Sequence, residues 1–148
     1  MELIYVLLEN KVLIAAGVSW LMAQALKTLL FAIEHHTLDL KRMVGSGGMP
    51  SAHSATVVSI ATSCGIVSGF SSPTFALALI LAVVVIHDAM GVRLEAEKHA
   101  KILNQYMEKE NIPYPEGHPL KEYIGHTLPQ IVFGCIIGII IPCIICNL

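Results

Sequence analysis

Charge is scarce in this chain. Only 14 % of its 148 residues are Asp, Glu, Lys or Arg, against about a quarter in soluble domains, so water is excluded as its main solvent. The net charge of −2 is too small to suggest a nucleic-acid partner. The opening MELIYVLLENK places two acids before the first Lys and lacks the basic start of a cleaved signal peptide, so the N-terminus reads as retained. Cys64, Cys135, Cys143 and Cys146 all lie in apolar segments. They have neither zinc-finger partners nor a soluble redox-fold context, and read as inert core thiols. Internal repeats, low-complexity tracts and coiled-coil heptads are missing too, and the length suits one domain, 1–148.

What the chain has in abundance is apolar sequence: 55 % of residues are hydrophobic and the mean hydropathy is +0.69. A helix needs roughly 20 mostly apolar residues to cross a hydrocarbon core of about 30 Å. Three stretches meet that demand: 12–33, interrupted by Gln24 and Lys27; 73–92; and 128–146, which carries no charge. A fourth, 50–70, is rich in Ser, Ala and Thr, which suits a helix packed among other helices, either as a full span or as a re-entrant one. The fold expected is all-α, a polytopic bundle of about four membrane helices with a cytoplasmic helical stem and loop.

Orientation follows from Lys and Arg. Four spans put the segments 34–49 and 93–126 on one side, and Lys41, Arg42, Arg93, Lys98, Lys101, Lys109 and Lys121 all fall there, with Lys11 opposite. The positive-inside rule places both loops in the cytoplasm. Between Arg93 and Met107 the helical pattern persists as a wetted stem, and Pro119 is expected to open a short helix ending near Gly125.

Three clusters can carry chemistry. In Gly45-Ser46-Gly47-Gly48-Met49-Pro50-Ser51-Ala52-His53-Ser54, the glycines permit a tight turn and the first N–H groups of the following helix have no internal partners. Together they make a possible phosphate cradle with His53 beside it; a plain glycine-rich turn with a capping Ser and an interfacial His accounts for the same residues. His126 precedes Thr127, a cap, and Pro129, which suits a first helical turn, so it also sits at a helix start. Paired across the fold, His53 and His126 could act as acid and nucleophile in phosphoryl transfer; singly, each reads as structural. Asp88 lies at the cytoplasmic end of an otherwise charge-free helix. There it is either functional or an interfacial partner of Arg93 or Lys41.

These blocks, GGMPSAHSA, HDAMGVR followed by Leu103-Asn104-Gln105, and GHTLPQIVFGCIIG, occur in an order and at spacings that resemble the divergent branch of the PAP2 membrane phosphatases, related to acid phosphatases and vanadium haloperoxidases. PSAHS is similar to the family's Pro-Ser-Gly-His signature, with Ala52 replacing Gly, and Lys41 and Arg42 stand where a basic phosphate-binding motif precedes it. The last motif departs from the pattern. Aligning its His on His126 puts Leu120, with Lys121 adjacent, in place of the Arg, and Gln130 in place of the Asp.

The resemblance implies a lipid or isoprenoid phosphate phosphatase of the bacterial plasma membrane, needing no metal or other cofactor. His126 would be the nucleophile that forms a phosphohistidine, His53 the acid, and Asp88 a source of the missing carboxylate. Gln130 would orient His126. Lys41, Arg42, Gly47, Gly48, Ser51 and Arg93 would surround the phosphate. Membrane lipids are the expected partners, nucleic acid is not, and a homo-oligomer is compatible with the composition. Two alternatives stay open: a non-catalytic protein that binds, senses or moves an anionic lipid, and a structural subunit of a membrane complex.

Overall fold

The computed structural model describes residues 7, 9–37, 47–115 and 117–147, and among these its regular secondary structure is all helix, with no strand. Among the described residues these helices follow one another: α1 (Lys11–His35), α2 (Ala52–Ser68), α3 (Pro73–Met90), α4 (Val92–Lys109) and α5 (Leu128–Ile145). Side-chain acceptors cap the starts of α1, α2 and α3. Asn10 takes the N–H groups of Val12 and Leu13, Ser51 that of Ser54, and Ser72 that of Phe75.

α1, α5 and the run formed by α3 and α4 are long and apolar enough to cross a membrane. α2, with 17 residues, spans about 25 Å, short of a full hydrocarbon core of about 30 Å. It is the central element instead, packed against α1, α3 and α5. Its inward residues are small, among them Ala52, Ser54, Ala55, Ser59, Ala61 and Ser63, while large apolar side chains such as Leu77 (74 % exposed) and Ile80 on α3 point away from the bundle. Small residues inside and large ones outside is the arrangement expected where lipid is the solvent and close backbone contact drives association.

The seam between α2 and α5 is the tightest. Gly134 and Gly138, one turn apart on α5, lie directly against α2. A methyl group on Gly134 would come within 2.5 Å of the Ser51 carbonyl oxygen, and one on Gly138 within 2.6 Å of that of Ala55. The Ser51 N–H also donates to the Gln130 carbonyl at 2.9 Å, so the two helix starts are joined through the backbone.

α3 and α4 are separated only by Gly91, whose N–H still bonds the His87 carbonyl, so α4 continues α3 as the expected stem. The short helix expected after Pro119 does not form: residues 117–127 are irregular and extended. Their backbone groups find partners on α4 instead. Asn104 accepts from the Leu120 N–H and donates to the Leu120 carbonyl, each at 2.9 Å, and Glu97 accepts from the Gly125 N–H at 3.1 Å.

Candidate active site

The site forms where the starts of α2 and α5 meet the ends of α1 and α3. Gly47 and Gly48 both take left-handed conformations (φ +82° and +79°), which glycine adopts without strain. This turn packs Gly47 against Tyr123 and Gly48 against the Lys27 side chain. Ser51 is wholly buried and committed to the helix start, its Oγ accepting from the Ser54 N–H and from the Ser54 hydroxyl at 3.0 Å. His53 projects from the first turn of α2 and is exposed.

His126 is buried, at 2 % exposure, and its backbone N–H is pinned to the Ala89 carbonyl at the end of α3. The rings of His53 and His126 face each other with centroids 6.1 Å apart and planes inclined by 55°. The protonation pattern of His126 follows from its neighbours. Gln130 Oε1 accepts from the Thr127 backbone N–H at 3.1 Å, which fixes the orientation of the amide, and the same oxygen lies 3.2 Å from His126 Nδ1. An oxygen opposite Nδ1 requires the proton there, leaving Nε2 with a free lone pair.

Burial holds the His126 ring below the ordinary histidine range. The hydrogen bond to Gln130 works in the opposite direction, and the positive fields of His53, Lys27 and Arg93 reinforce the lowering. The ring is therefore neutral near pH 7.

The remaining expected residues fall as follows. Arg93 Nε pairs with Asp88 Oδ2 at 2.5 Å, both side chains partly exposed. Asp88 thus holds Arg93, while the position next to His126 Nδ1 is filled by Gln130. The expectation that Asp88 supplies a carboxylate to His126 does not match this geometry, because the helix start places Gln130 one turn from the ring. Lys41 and Arg42 lie outside the described residues. Lys27, read from the sequence only as an interruption of the first membrane helix, is 5 % exposed and belongs to the site. The available signal was the high cost of a charge at membrane depth. Asn104, which stands in the Leu103-Asn104-Gln105 block, and Glu97 hold the loop leading into His126 through contacts between residues remote in sequence.

Residues 8–141 match the family described as Divergent PAP2. The chain belongs to the divergent PAP2 family. It is similar to a Bacillus subtilis (strain 168) protein described as "Uncharacterized membrane protein YuiD", with 30 % identity over 151 residues that cover 94 % of this chain and 96 % of that one. No solved structure matches it. In this divergent PAP2 protein the amide of Gln130 fixes the tautomer of His126 without adding a negative charge. A buried Lys from α1 supplies positive charge near the two rings.

Proposed function

We propose that this divergent PAP2 protein is a phosphatase that removes phosphate from a lipid or isoprenoid phosphate at the cytoplasmic face of a bacterial plasma membrane. The observation that carries the reading is Gln130 Oε1, bonded to the Thr127 N–H and facing His126 Nδ1, with the His53 ring 6.1 Å from that of His126. This arrangement offers a neutral nucleophile with its lone pair free and a second imidazole within reach of the same phosphoryl group.

In the reaction, the lone pair on His126 Nε2 attacks phosphorus and the bond from phosphorus to the lipid oxygen breaks. Protonated His53 gives its proton to that oxygen, releasing the alcohol. Water then attacks the phosphohistidine, the P–N bond breaks, and His53 takes the proton from the water. Lys27, Arg93 and the N–H groups of Ala52 and His53 hold the phosphoryl oxygens as charge develops on them, and Asp88 positions Arg93. Lys41 and Arg42, which precede the Gly47-Gly48 turn in sequence, are proposed as further cations for the phosphate. The Lys and Arg residues of 34–49 and 93–126 favour a cytoplasmic location for this end of the bundle.

Phosphate release from a panel of lipid phosphates by purified protein in detergent tests the reading. Release by the wild type that is lost in His126→Ala supports it. A wild type that binds lipid phosphates but releases nothing favours the second reading, a protein that binds or moves an anionic lipid. The observation on that side is Gln130, whose neutral amide cannot stabilise an imidazolium as a carboxylate does.

A further inference from the structure

We infer that Ser19, Ser59, Ser63 and the Gly138 carbonyl form a water-binding site inside the membrane, where α1, α2 and α5 meet. The site does not depend on the phosphatase reading.

Helix register brings these groups to one level. α1 and α2 run antiparallel: Ala23 packs with Ala52 and Ala55 near the histidine end, and Val12 packs against the cluster of Ala61, Cys64 and Ala78 toward the other end. One turn beyond the contact of Ala23 with Ala55, on the same two faces, stand Ser19 of α1 and Ser59 of α2, with Ser63 one turn further along α2. Ser59 is at the middle of α2. α5 reaches this level too, because a methyl group on Gly138 would come within 3.0 Å of the Ser59 backbone nitrogen.

Ser19, Ser59 and Ser63 are each 0 % exposed, and none of their hydroxyls has a hydrogen-bond partner among the described residues. Thr28 and Thr56 of the same two helices, by contrast, donate to the carbonyls of Gln24 and Ala52 one turn earlier, at 2.9 and 2.8 Å. α5 adds an acceptor. Pro142, wholly buried, has no N–H to give the Gly138 carbonyl, and that oxygen points along α5 to the level of Ser59 and Ser63. Unpaired hydroxyls and carbonyls are costly in hydrocarbon, and water is a usual partner for a carbonyl freed by a proline inside a membrane helix. One buried water makes about three hydrogen bonds, here accepting from one serine and donating to the carbonyl and to a second serine. A hard metal cation takes about six or more oxygen ligands, more than this level offers. The buried polar face continues through Gln24, whose Oε1 is likewise unpartnered among the described residues, to Lys27, so water enters from the histidine end.

The test is X-ray radiolytic labelling of the full chain in phosphatidylcholine vesicles prepared in ¹⁸O-labelled water, which oxidises side chains beside bound water, combined with thermal unfolding in detergent. Mass spectrometry should find ¹⁸O on Pro142, although that residue is wholly buried, and none on Leu77 and Ile80, which face lipid. Ser19→Ala and Ser59→Ala together should abolish the label on Pro142. Each alone should lower the thermal midpoint by about 2–4 °C, the effect of losing one hydrogen bond, even though Ala is the better helix former. Hydroxyls without a ligand would give the opposite sign, since Ala then removes an unpaired polar group, and a raised midpoint in both variants overturns the inference. A lowered midpoint with no label on Pro142 in the wild type means direct contact between serines and overturns it as well. So does a wild-type midpoint that sodium chloride raises over choline chloride and that loses this difference in Ser59→Ala, which assigns the site to a cation. The wild-type label decides the matter even where a variant does not fold.

Discussion

Gln130 Oε1 lies 3.2 Å from His126 Nδ1 and 3.1 Å from the Thr127 backbone nitrogen, so one oxygen both closes the start of α5 and fixes the proton on the ring. This relationship separates the present site from one built on a carboxylate, and it has consequences for pH.

Burial lowers the pKa of His126 from 6.5, so the neutral ring predominates at pH 7, and activity should fall on the acid side as pH drops through the lowered value and on the alkaline side as His53 loses the proton that it must donate. Gln130→Asp places a carboxylate against Nδ1, favours the charged ring, and should move this acid limb to higher pH while raising turnover. Gln130→Ala, which frees the tautomer, should lower turnover by on the order of 10²-fold or more. The pH dependence of kcat/KM measures both. An acid limb unchanged in Gln130→Asp would show that His126 is not the group it reports.

Asp88→Asn should be milder than Gln130→Ala, because the carboxylate holds Arg93 rather than His126. Its expected signature is weaker substrate binding, seen as a raised KM, with the acid limb of the pH profile in place. A collapse of kcat at unchanged KM would instead assign Asp88 a direct part in the chemistry.

The loop ahead of His126 depends on α4. Asn104→Leu removes the paired hydrogen bonds to Leu120, each worth about 0.5–1.5 kcal/mol net, and should expose residues 117–124 to proteolysis while the membrane helices stay protected. Limited proteolysis followed by peptide mapping checks this. Cleavage no faster than in the wild type would mean that the clamp is dispensable.

Close packing of α2 on α5 holds the two histidine starts together. Gly134→Val should destabilise the bundle by about 1–3 kcal/mol through overpacking against Ser51. Gly17→Ala on α1, where an added methyl group meets nothing within 4 Å, should stabilise by up to about 1 kcal/mol through helix propensity. Thermal unfolding in detergent compares the two.

Long apolar runs made the helices legible to within two residues at each end: 12–33 against Lys11–His35, 50–70 against Ala52–Ser68, 73–92 against Pro73–Met90 and 128–146 against Leu128–Ile145. Lipid imposes length and composition, and both are local properties of sequence. The loop before His126 was misread because its partners are remote: Leu120 bonds a residue 16 positions away and Gly125 one 28 positions away, so Pro119 gave a helix signal that tertiary hydrogen bonds overrode. The spacing of His126 and Gln130, one helical turn, was visible. Which atom of Gln130 faces the ring was not, since that depends on the Thr127 N–H. Lys27 was visible as a residue but not as part of the site, because only the left-handed turn at Gly47 and Gly48 brings the segment before α2 against it.

The central claim is that His126 is the nucleophile of a lipid-phosphate phosphatase, and the most direct measurement is capture of its intermediate. Protein mixed with a lipid phosphate, quenched in alkali and digested should yield a phosphorylated peptide with the phosphoryl group on His126. The adduct should be absent from His126→Ala, and its formation in the wild type should be accompanied by phosphate release. A phosphoryl group on another residue, or substrate bound with neither adduct nor release, would contradict the account.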